Sequence, residues 1–154
     1  MSGNWFKLMS AEIDSYIREQ FGLEVADVRT ISPLTLAYLG DGVFDLIIRS
    51  AVVGRANTQA NTLHKKTSSI VKAETQARLA EALLADDFLS EDEVHAYHRG
   101  RNAKSPTTAK NASVADYRKA TGFEALIGWL YLQDGFERAV ELTIHGLKLL
   151  SIEI

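Results

Sequence analysis

Two acidic residues stand in stretches that carry almost no other charge. Asp41 lies in segment 34–53, whose only charged residues are Asp41, Asp45 and Arg49. Glu124 is the sole charged residue between positions 120 and 132. A carboxylate in apolar surroundings needs a cation, a hydrogen-bond network or a raised pKa. One acid from each of two facing helices can hold a hard divalent cation. Mg²⁺ takes oxygen ligands, keeps several waters, and is often bound by one or two protein carboxylates plus substrate phosphate. A buried salt bridge from Glu124 to Arg49 or Arg118 is the alternative.

Asp41, Asp45 and Arg49 are spaced i, i+4, i+8 and so form one stripe along a helix. A thin solvent-facing stripe would explain that spacing without any chemistry. Two penalties argue for more. The like charges of Asp41 and Asp45 cost an isolated helix roughly 0.2–0.5 kcal/mol. Gly40 and Gly42 flank Asp41, and each costs a helix interior about 1 kcal/mol against alanine. Glycines there allow another backbone or a ligand to come close.

Other chemistries find little support. With no cysteine in the chain, disulfides, thiolate zinc sites and cysteine nucleophiles are excluded. His95 and His98 share a helix face without a zinc-like ligand pattern, which leaves them solvent-facing or beside a phosphate. No glycine-rich phosphate loop, dinucleotide fingerprint or Ser/His/Asp arrangement occurs.

The net charge of −3 is unevenly spread. Between positions 99 and 119 stand Arg99, Arg101, Lys104, Lys110, Arg118 and Lys119 against one acid, Asp116, giving +5 there and −8 elsewhere. Such a concentration suits a phosphate-contacting surface, or equally a solvated loop. His64-Lys65-Lys66 forms a second basic cluster, either an RNA-backbone contact or a helix end complementing its dipole.

Helices must position these groups. Ser32-Pro33 reads as an N-cap with proline at the first helical position, opening a helix to about position 53 that stops at Gly54. Asn57 or Thr58 can cap the next, followed by helical spacing of Ile70, Val71, Leu79, Leu83 and Leu84. Ser90 and Glu93 form a capping box, and Ser113 heads a looser version. Segment 100–112 has loop chemistry. Final helices span about 113–133 and 136–150, broken at Asp134-Gly135. One short helix is expected over 10–20. The expectation is an all-α bundle: an N-terminal extension over 1–30, a catalytic domain over 31–150 and a tail over 151–154. No apolar run nears the ~20 residues that cross a bilayer, and the N-terminus lacks a secretory layout. A cytoplasmic protein with no membrane partner is expected.

The motif Tyr38-Leu39-Gly40-Asp41-Gly42-Val43 resembles the signature of the ribonuclease III catalytic domain. Phe123-Glu124-Ala125-Leu126-Ile127-Gly128-Trp129-Leu130-Tyr131-Leu132 resembles its second acidic motif. Leu63-His64-Lys65-Lys66, Arg99-Gly100-Arg101-Asn102-Ala103-Lys104, Lys110-Asn111 and Tyr117-Arg118-Lys119-Ala120-Thr121 resemble the Mini-ribonuclease III branch, which lacks an appended double-stranded-RNA-binding domain. The resemblance covers about 34–147. It implies a dimeric all-α endoribonuclease that hydrolyses double-stranded RNA with Mg²⁺, for which Mn²⁺ can substitute, leaving 5′-phosphate and 3′-hydroxyl ends. The implied substrate is the paired ends of precursor 23S ribosomal RNA, with a ribosomal protein as a further candidate partner.

On this reading Asp41 and Glu124 are both the catalytic and the metal-binding residues. Full-length ribonuclease III carries further acids where this chain has Ala37 and Thr121, so the expected count is one firmly held ion. Asp45 is the candidate for a water-mediated contact behind the ion. Lys65, Lys66, Arg99, Arg101, Lys104, Lys110 and Arg118 would hold phosphates of an A-form helix, and Asn102, Asn111, Thr107 and Thr108 would add hydrogen bonds. The competing readings are a catalytically silent RNA-binding or assembly module with this fold, and a metal-dependent hydrolase of small nucleotides.

Overall fold

In a computed structural model the described residues are 13–24, 27–104 and 113–154. Lys110 and Asn111, with Thr107 and Thr108, lie outside them. The described residues form seven α-helices and a short 3-10 turn, with no strand. The helices are α1 (Ile13–Phe21), α2 (Pro33–Arg55), α3 (Ala60–Val71), α4 (Ala73–Ala85), α5 (Glu91–Asn102), α6 (Val114–Tyr131) and α7 (Phe136–Leu149), and the turn is Val28–Thr30.

Helix starts follow the capping chemistry in the sequence. The Ser32 hydroxyl accepts the Thr35 N–H, and Pro33 occupies the first turn of α2. Ser90 and Glu93 satisfy each other's backbone N–H in a complete capping box at α5. The Ser113 hydroxyl accepts the Asp116 N–H at α6.

Three boundaries differ from expectation. Gly100, Arg101 and Asn102, expected in a loop, belong to the last turn of α5. Helix α2 runs through Gly54 to Arg55 and leaves through extended Ala56, with φ −148° and ψ 115°. Gly54 therefore never takes the left-handed conformation that would make it a stop signal. Neither Asn57 nor Thr58 caps α3, whose N-cap is Gln59 without a side-chain bond. The apolar periodicity across 60–85 also hides a corner at Lys72. Two buried side chains hold it: Thr75 Oγ1 donates to the Ser69 carbonyl at 2.8 Å, and Gln76 Nε2 donates to the Val71 carbonyl at 2.7 Å. They satisfy carbonyls left open at the end of α3.

Helix α6 is the hub. It packs against α2, α5 and α4, while α7 closes over α4 and α6. Phe44 of α2 and Phe123 of α6 meet edge to face at 5.0 Å, and both are fully buried. Leu79, Leu83, Leu126, Ile127 and Leu142 complete the centre, with Ile152 and Ile154 packed against its edge. One charged cross-link ties α5 to α7: Arg138 donates to both oxygens of buried Glu93 at 2.8 and 2.9 Å, and to the Phe88 carbonyl at 2.8 Å.

Candidate active site

The two isolated acids meet because their helices touch backbone to backbone. A Cβ on Gly40 would lie 1.7 Å from the Glu124 carbonyl oxygen, and one on Gly128 would lie 2.0 Å from the Leu36 carbonyl oxygen. No residue with a side chain fits at either position without moving a helix. A second glycine pair seats α5: a Cβ on Gly100 would reach the Ala125 Cβ at 2.6 Å, and one on Gly122 the Tyr97 carbonyl at 2.8 Å. Sequence reasoning singled out Gly40 but missed Gly100, Gly122 and Gly128. Their signal was present, since each is a glycine inside a helix, where it costs stability unless contact requires it. Gly42 behaves differently, with nothing within 4 Å of where its Cβ would be.

This crossing sets Asp41, exposed on α2, beside half-buried Glu124 on α6. Burial, and then the hydrogen bond to Asp41 and its negative charge, push the Glu124 carboxyl up to about 9. At neutral pH Glu124 is thus a neutral donor, with an Asp41 oxygen as its acceptor. Neither Arg49 nor Arg118 forms an ion pair with Glu124. Arg49 is bound to Asp45 at 2.7 Å, and Arg118 is an exposed residue on the first turns of α6. Asp45 itself is half-buried and engaged with Arg49 rather than with the acid pair.

The donor set suits a hard divalent cation. Two carboxyls that repel as anions are held together with no positive side chain between them, and a cation would replace the shared proton. No cluster of three or more potential ligands exists among the described residues. One ion completed by water and phosphate oxygens fits that count. Ala37 is buried in a small apolar cluster with Leu36 and Ala125, so the position one turn before Asp41 faces the protein interior.

The basic residues spread over several elements. Lys65 and Lys66 are exposed on α3, Arg99 and Arg101 are half-buried near the end of α5, Asn102 is its exposed last residue, and Lys104 is exposed just beyond. Arg101 donates to the Asn102 side chain at 3.3 Å. Lys119 is committed elsewhere, paired with Glu81 of α4. His95 is exposed. His98 is half-buried and stands edge-on to Tyr97 at 5.4 Å; burial, then Arg101 and His95, lower its pKa.

Comparisons with known proteins converge on one family. The Ribonuclease III domain family matches residues 34–135. Mini-ribonuclease 3 of Thermoanaerobacter sp. is 50% identical over 124 residues, covering 79% of this chain and 86% of that protein. The Enterococcus faecalis Mini-ribonuclease 3 is 47% identical over 122 residues, with coverages of 79% and 92%. The Clostridium tetani protein of the same name is 43% identical over 128 residues, covering 82% of each. A crystal structure of a Fusobacterium nucleatum protein superposes with a TM-score of 0.66 at 30% identity, covering 78% of this chain and 97% of that one.

Proposed function

The chain belongs to the ribonuclease III domain family, and on that premise we propose that Asp41 and Glu124 form the catalytic centre of an endoribonuclease acting on double-stranded RNA. The observation that carries this is the hydrogen-bonded carboxyl pair at the Gly40–Glu124 contact. Both carboxylates would hold the metal. When bound, Mg²⁺, or Mn²⁺ in its place, supplies Lewis acidity at the scissile phosphate and makes water a usable nucleophile near neutral pH. Glu124 would bind the ion as a carboxylate, and the glycine crossing holds α2 against α6 where the two acids stand.

Lys65, Lys66, Arg99, Arg101, Lys104 and Arg118, with Lys110, anchor phosphates of the duplex, and Asn102 and Asn111 add polar contacts. Shape and 2′-hydroxyl contacts dominate such recognition, because the A-form major groove is too deep and narrow to read. Asp45 pairs with Arg49 through one carboxylate oxygen and would make a water-mediated contact behind the ion through the other. The substrate is precursor 23S ribosomal RNA at its paired ends, in the cytoplasm, with a ribosomal protein as a helper on the natural precursor. No helix among the described residues is long and apolar enough to cross a membrane.

The working form is a homodimer. Tyr38 and Leu46 on α2 are 83% and 53% exposed, Gly42 stands between them in open space, and Val53 continues the strip at 59%. An apolar strip beside the acids suits burial against a second copy. Incubation with long double-stranded RNA, with and without Mg²⁺, tests the reading. Metal-dependent cleavage that Asp41→Asn abolishes is expected. Binding without cleavage would instead identify a silent RNA-binding module.

A further inference from the structure

A cavity of about 290 Å³ opens between α5, α6 and the 3-10 turn, lined by Arg29, Asp92, His95, Ala96, Arg99 and Trp129. Arg99 is half-buried yet makes no ion pair or hydrogen bond among the described residues. A half-buried guanidinium with no acceptor among the described residues is available to an anion. The exposed Arg29 side chain donates from Nε and Nη2 to Asp27, each at 3.0 Å, which leaves Nη1 without a partner among the described residues. His95 can add a third donor. Asp92 is the one carboxylate in the lining, on the first turn of α5, where the helix dipole favours it.

Trp129 supplies the apolar wall. The indole is half-buried against the cluster of Leu36, Ala37 and Ala125, and its N–H has no acceptor among the described residues. Ala37 lies one helical turn before Asp41, and Trp129 follows Glu124 by about 8 Å of helix rise. Neither Asp41 nor Glu124 is among the residues that line the cavity.

We propose that this cavity binds a nucleotide phosphate, with Arg29 and Arg99 on the phosphate oxygens and Trp129 against the adjoining ribose. Guanidinium forks match phosphate geometry, and an indole beside them favours a nucleotide over a bare anion. Two sources share that chemistry, a backbone phosphate of bound duplex RNA and a free mononucleotide. The first rests on the ribonuclease reading above and makes the cavity a second anchor for the substrate.

Trp5→Phe leaves Trp129 as the only tryptophan. In chelator, so that nothing is cut, that variant is titrated with duplex RNA, with AMP and with inorganic phosphate. A change of Trp129 emission with duplex RNA is expected. Arg29→Ala should weaken duplex binding several-fold and flatten the log–log salt dependence by about 1. An AMP response that phosphate competes away, without a duplex response, assigns the site to free nucleotides. Unchanged emission with duplex RNA and with AMP overturns the proposal, as does Arg29→Ala with wild-type affinity and salt slope for duplex RNA and an undiminished AMP response. Failure of the wild-type chain to cut duplex RNA with Mg²⁺ would count against the enzyme reading instead, so the two failures are separable.

Discussion

Gly40 and Glu124 touch through backbone alone: a methyl group on Gly40 would sit 1.7 Å from the Glu124 carbonyl oxygen. That atom cannot swing aside as a flexible side chain would. Gly40→Ala must push α2 from α6, and overpacking of this kind costs about 3 kcal/mol. Loss of cleavage and a clearly lower Tm are expected, whereas Gly54→Ala, with nothing within 4 Å of its added methyl, should melt within a few degrees of wild type. Equal behaviour of the two variants would remove the crossing from the account.

The Glu124 carboxyl has a folded pKa of about 9, above its unfolded value of about 4.3. Between those values the native state holds the extra proton, so metal-free stability falls as pH rises through the window. Glu124→Gln has no such penalty. In chelator at pH 8 it should melt above wild type, each kcal/mol being worth about 2–4 °C. The curves should converge near pH 4, and adding Mg²⁺ should raise only the wild type. A variant that melts lower at pH 8 in chelator would contradict this.

Glu93 has the opposite sign. Burial alone would raise its carboxyl, but the Arg138 hydrogen bonds and the Ser90 backbone N–H override that and hold it below the ordinary value. The stability it contributes is present above the unfolded pKa and fades as pH falls through the lower folded one. Arg138→Met strands the carboxylate, at a cost of about 3 kcal/mol at neutral pH. Burial then dominates, so the variant should recover part of its deficit near pH 5 as Glu93 protonates. Thermal melts against pH would show the deficit narrowing, and a constant gap would argue against the assignment.

Charge on the surface separates by partner. Arg101→Ala with Lys104→Ala should weaken duplex binding and flatten its salt dependence. Lys119→Met should leave the salt slope alone and lower stability slightly, because Lys119 is paired with Glu81. Filter binding across a salt series distinguishes them. A slope that drops for Lys119→Met and not for the double variant would relocate the RNA surface.

Leu46→Asp places a charge in the exposed strip of α2, between Gly42 and Val53. The variant should sediment as a folded monomer and the wild type as a dimer at the same micromolar concentration. A monomeric wild type, or an unaffected variant, would take the dimer interface away from this face.

How much of this was legible beforehand depends on whether the cause was local. Ser90 and Glu93 announce α5 because both halves of the capping box lie within four residues. Asp41 and Glu124 stood out because their apolar neighbours were adjacent in sequence. The Lys72 corner was hidden, since Thr75 and Gln76 act by capturing carbonyls of the previous helix, which periodicity does not register. Asp45 pairs with Arg49 one turn on, an i, i+4 contact that its spacing allows. Glu93 and Arg138, separated by 45 residues, meet only in the folded chain. The glycines of α6 were visible as costs, while the contacts that repay them were not.

The glycine seats on α6 have a further consequence for how this protein can change over generations. Where two helices are spaced by interlocking side chains, every exchange of a methyl group alters their separation, and a site between them drifts with the core. Here α2 stops against α6 at bare backbone, and α5 does the same on another side. The interval between the two carboxyls is set by a hard stop, much as a door frame sets the travel of a door whatever the wall behind it is made of. Leucine, isoleucine and phenylalanine elsewhere in the core are then free to trade places, provided Gly40 and Gly128 do not.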